Sequence, residues 1–147
     1  MIKTEIRYSW IYDVFLNNHD FNFSLREYKE LQRECKPFEK LYKKNINQII
    51  RLIEKATKRK KWAYNFIPVY IVKVKPRNND KKWKAFADPL TMKYFEKESP
   101  ERLLKRLVHE LIHMNLDNEE QIKRGRNKNE ELVKSITENV WRNLNLK

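Results

Sequence analysis

The sequence predicts an α+β domain. Three observations carry the prediction. The first and last thirds place apolar residues at helical spacing. The middle switches to β-branched and aromatic residues bounded by prolines. The length, 147 residues, suits one domain with its own core. The expected order is N-terminal helices, a small antiparallel sheet of about three strands, then two further helices. Residues 1–62 form the helical N-terminal part in this reading, and residues 63–147 the core that carries the chemistry.

Taken in order, "TEIRYSWIYDVFL" sets Ile6, Trp10, Val14 and Phe15 on one helical stripe, and "NNHDFNFS" is a connector. Ser24 is placed to cap "LREYKELQREC", with Glu27 three residues on as in a capping box. Pro37 bends or restarts the helix. The next run puts Leu41, Ile46, Ile49, Ile50 and Ile53 on one face. "FIPVYIVKVKP" reads as a strand, "RNNDKK" as a turn, and "WKAFADP" and "LTMKYFEK" as two short strands about an Asp88-Pro89 turn. Ser99 is an N-cap, Pro100 suits the first helical position, and Glu101 favours the positive end of the helix dipole. A loop around Gly125 separates this helix from the last one, "NEELVKSITENVWRNL".

Hydrophobic residues are 40% of the chain, enough for a core, and no apolar run approaches the ~20 residues of a membrane span. The N-terminus mixes charges into its apolar residues and does not read as a secretory signal. Cys35 stands alone, which excludes an intrachain disulfide and fits a reducing cytoplasm. A net charge of +13 favours polyanionic partners, nucleic acid among them, although the bases are spread and the cluster Lys58–Lys61 reads as a solvated helix end.

Two of the three histidines lie in "VHELIH". On the helix from Ser99, Leu104, Leu107, Val108 and Leu111 point to the core, while His109, Glu110 and His113 point the other way. Histidines at i and i+4 stack one turn apart and can reach one Zn2+ ion, and Glu110 lies beside them as a non-ligand able to move protons. His19, in a polar loop, reads as a surface residue. The third ligand is then a carboxylate: Asp117, Glu119, Glu120, Glu130, Glu131 and Glu138 are the downstream candidates. Glu130 flanks the Leu132/Val133/Ile136/Val140 stripe and Glu131 points away, so Glu130 is preferred and Glu131 is the alternative. Such a site hydrolyses peptide bonds, with Glu110 as general base. A peptide or protein is the expected substrate. Tyr94, Tyr70, Arg102 and Arg106 are candidate oxyanion donors, and "KAFAD" or "TMKYF" a candidate edge for strand addition.

"HELIH" followed by "NEELV" resembles the gluzincin branch of zinc metallopeptidases. The Asn129-Glu130 pair is similar to the Asn-Glu that opens the glutamate helix of thermolysin-type enzymes. In size the chain looks like the minigluzincins and the ImmA/IrrE-like proteases. The resemblance covers about residues 83–141 and implies a single zincin-like domain with an active-site helix and a glutamate helix. It also implies latency, with "VWRNLNLK" folding back near the cleft. The chain departs from the pattern at Lys134, where many gluzincins carry an aspartate that orients a zinc histidine.

Overall fold

The computed structural model describes residues 2–9, 25–73, 85–87, 90–95 and 98–146. Among these, β1 spans Lys3–Tyr8, α1 Leu25–Glu34, α2 Lys36–Thr57, β2 Phe66–Val72, β3 Ala85–Ala87, β4 Leu90–Lys93, α3 Pro100–Asn115, α4 Asn118–Arg124 and α5 Arg126–Asn143. The α+β class holds. The strands form a mixed sheet in the order β1-β2-β4-β3.

Two expectations about this part of the chain are corrected. Residues 3–8 are a strand, not the start of a helix. "KTEIRY" alternates, with Thr4, Ile6 and Tyr8 half-buried and Lys3, Glu5 and Arg7 exposed. That period of two outweighs the helical stripe drawn through Ile6. The rest of that stripe, Trp10, Val14 and Phe15, lies outside the described residues, as do His19, Ser24 and the Asp88-Pro89 turn.

The sheet is also not antiparallel as a whole. β1 runs parallel to β2 from Lys3↔Phe66 to Tyr8↔Ile71, and β2 runs parallel to β4 from Tyr70↔Thr91 to Val72↔Lys93. Only β3 and β4 pair antiparallel. Parallel neighbours need a crossover, and between β1 and β2 the helices α1 and α2 lie in that crossover. A helix at residues 3–8 would offer β2 no parallel partner, so the expected antiparallel sheet contains no such crossover.

In β2, Ile67, Val69 and Ile71 are buried, while Phe66, Pro68 and Tyr70 face the other way. Buried on the helix side are Ile49, Ile50 and Ile53 of α2, Leu104, Leu107, Val108 and Leu111 of α3, and Val133 and Val140 of α5. Each such side chain is worth about 1.5–3 kcal/mol. The core therefore joins residues from both sides of position 62, and α2 is a structural support of α3.

Both ends of α3 are fixed by polar contacts. Ser99 Oγ accepts from the Arg102 N–H at 3.2 Å. Near this end, Arg106 donates to both oxygens of the buried Glu98, at 2.9 and 2.5 Å, and to the Lys93 carbonyl at 2.6 Å. At the other end, the buried Asn115 accepts from the Thr57 hydroxyl at 2.6 Å. The basic cluster terminates α2, where cations complement the helix dipole. Lys58 is its left-handed cap, and Arg59 pairs with Asp117 at 3.3 Å.

The only glycine in the chain, Gly125, joins α4 to α5 with φ 75° and ψ 158°, a conformation open essentially to glycine. No atom within 4 Å would meet an added Cβ, so the constraint is backbone alone. Gly125→Ala should therefore cost about 1–3 kcal/mol of stability. Chemical denaturation checks this, and an unchanged midpoint would show that the joint relaxes freely.

Candidate metal centre

α3 is apolar on its packed side because Leu103, Leu104, Leu107, Val108, Leu111 and Ile112 recur at helical spacing. His109, Glu110 and His113 consequently emerge half-buried on the opposite side, with the two histidines facing α5. The two imidazoles lie 5.0 Å apart, centre to centre, inclined at 71°. Glu130 of α5 meets both: Oε2 is 3.4 Å from His109 Nε2 and Oε1 is 3.2 Å from His113 Nε2. A tetrahedral zinc with bonds of ~2.0–2.2 Å spaces its ligand atoms roughly 3.3–3.6 Å apart. The two separations, one to each carboxylate oxygen, lie close to that spacing, and the three donors lie within 4.8 Å of one another.

The other ring nitrogens show which atoms are free for a cation. Thr137 Oγ donates to the Val133 carbonyl at 2.7 Å, so its lone pairs face His109 Nδ1, 3.5 Å away. Gln121 Oε1 lies 3.1 Å from His113 Nδ1. Each Nδ1 thus has an oxygen beside it that can accept a proton from the ring. In that tautomer each Nε2 offers a lone pair and faces a carboxylate oxygen of Glu130. Two nitrogen lone pairs and an anion repel one another unless a cation or protons lie between them. Burial, and then the neighbouring His113, push the His109 pKa below its ordinary value, which disfavours the proton. A divalent cation resolves the repulsion, and the imidazole, imidazole and carboxylate set suits zinc. The three donors form the one such group among the described residues.

Glu110 adjoins this group without joining it. Burial raises its carboxyl pKa, His113 acts in the opposite sense, and Glu130 raises it further. A carboxylate held above its usual range is a better proton acceptor near neutral pH.

The remaining candidates are engaged elsewhere. Glu131 is exposed. Asp117 caps α4, accepting from the N–H groups of Glu119 and Glu120, and the Glu120 N–H is the chief cause of its lowered pKa. Glu119 is exposed, Glu120 pairs with Arg124 at 2.9 Å, and Glu138 pairs with Lys105 at 2.7 Å. Among the oxyanion candidates, Arg106 is committed to Glu98. Tyr70 shares the outer face of the sheet with Phe66, while Ile67, Val69 and Ile71 face the core. Arg102 is exposed, and Tyr94 is half-buried with its phenol raised to about 12, chiefly by burial. "TMKYF" belongs to β4, an interior strand, whereas "KAFAD" contains β3, an edge of the described sheet. In "VWRNLNLK", Val140 and Leu144 are buried in the core and Trp141 lies under Lys105 at 5.9 Å.

The sequence reading missed Gln121 and Thr137 and gave Asn129 no task of its own. Asn129, Val133, Thr137 and Val140 form the buried stripe of α5, and two of its four members are polar. That mixture was a signal. Lys134, at the position where gluzincins often carry aspartate, is exposed, and Thr137 faces the His109 ring instead. Gln121 gave no signal at all.

Comparison with protein-family models, with curated proteins and with solved structures found no match to this chain. Among the described residues, no helix is long and apolar enough to cross a membrane.

Proposed function

We propose that this protein is a zinc-dependent metallopeptidase of gluzincin type, with His109, His113 and Glu130 as metal ligands and Glu110 as general base. The observation that carries the proposal is the convergence of two imidazole Nε2 atoms on one carboxylate, with an oxygen beside each Nδ1. Support for a zincin-like fold comes from the mixed sheet, the antiparallel strand β3 at its edge, and the glutamate helix packed across α3.

Held by His109, His113 and Glu130, zinc would polarise the scissile carbonyl and acidify the attacking water. Glu110 would accept the proton of the attacking water and return it to the leaving nitrogen, with no acyl-enzyme. β3, an edge of the described sheet, suits an extended peptide that adds as a strand.

The direct test compares Glu130→Ala with Glu131→Ala. The first should lose zinc affinity by roughly a hundredfold, as about 3 kcal/mol per ligand implies, while the second binds as wild type. Competition with a chromophoric chelator reads both. Equal affinities in the two variants would remove Glu130 from the site.

A further inference from the structure

Gln121 stands where a single side chain controls one of the two histidines. Its amide orientation is fixed by its own donors: Nε2 donates to the His113 carbonyl at 2.9 Å and to the Leu116 carbonyl at 3.3 Å. Both carbonyls belong to the end of α3, where backbone oxygens lack helical partners. The other end of the amide, Oε1, must therefore face the ring. It lies 3.1 Å from His113 Nδ1 and also accepts from Asn129 Nδ2 at 3.0 Å. Asn129 Nδ2 is itself 3.4 Å from His113 Nδ1, a longer approach than that of the Gln121 oxygen.

α4, which delivers Gln121, has no buried side chain, and its Ile122 is 80% exposed. It is held by polar contacts, including the Asp117–Arg59 pair and the Gln121 amide. Packing does not explain its position against α3, whereas the Gln121 bonds do.

We infer that Gln121 is a positioning residue for the metal centre: it holds His113 as the Nδ1–H tautomer, with Nε2 bare and turned toward Glu130. The inference rests on the metal-site reading above, but its first readout needs no metal. A partner on the far nitrogen of a ligating histidine fixes tautomer and ring direction, and its loss typically lowers metal affinity about 10–100-fold.

The test uses the full chain with Gln121→Leu and Gln121→Glu. Both variants lose the amide's donations to α3, and only the second keeps an oxygen acceptor for the ring proton. Nitrogen-15 NMR of the metal-free protein should show His113 protonated on Nδ1 in the wild type and in Gln121→Glu. Gln121→Leu should show a mixture or the Nε2–H form. Zinc affinity should fall about 10–100-fold in Gln121→Leu and less in Gln121→Glu. A Leu variant that keeps the Nδ1–H tautomer, or two variants that change alike, would overturn the role. A wild type with the expected tautomer but no zinc affinity would instead overturn the metallopeptidase reading.

Discussion

Glu110→Gln should lower hydrolysis of a susceptible peptide by about 10²–10⁴-fold, the usual worth of a positioned general base. Zinc content should remain at about one ion per chain, because Glu110 is not among the three converging donors. The amide has nearly the shape of the carboxylate but cannot accept and return a proton. Its half-buried position makes substitution by bulk water a poor replacement. The informative measurement is zinc stoichiometry and turnover on the same preparation. Loss of zinc in Glu110→Gln would make Glu110 a ligand. Full turnover with zinc retained would leave the proton transfer to another group.

His113→Ala should abolish tight zinc binding, a loss of roughly a hundredfold or more if a zinc site of about 10–16 kcal/mol divides among its ligands. The effect should exceed that of changing either neighbour of the ring, since the alanine removes the donor atom itself. His113 is only partly buried and faces away from the core, so the fold should tolerate the change. Calorimetric titration, with a thermal melt beside it, separates lost binding from lost structure. Undiminished affinity in a folded His113→Ala variant would place the metal elsewhere.

The helices of the C-terminal half were legible because their signals are local. Ser99, Pro100 and the leucine spacing specify α3 within one stretch, and the phase of α3 sets which way His109 and His113 point. Glu130 was legible for the same reason: α5 begins at Arg126, so Glu130 already has helical phase and the argument from Val133 and Val140 applies to it. The sheet was less legible. The pairing of Lys3 with Phe66 is decided by what lies between the strands in space, which no short window contains. Gln121 was illegible for a related reason. Its task depends on α4 folding back beneath the end of α3, and a glutamine in a short polar helix looks like any solvated residue.

β1 also affects how the molecule meets its neighbours. β2 is "FIPVYIV", seven residues without a charge, the composition of a segment prone to self-association, broken only by Pro68. β1 covers one edge of it along its length. The strand then left at the border carries Lys3, Glu5 and Arg7, all exposed, and Arg7 lies 5.1 Å over the exposed ring of Phe66. Charges on an outer strand deter a second chain from extending the sheet. The N-terminal strand thus shields β2: its loss would bare an apolar edge from Phe66 to Ile71 and favour association between copies of the chain.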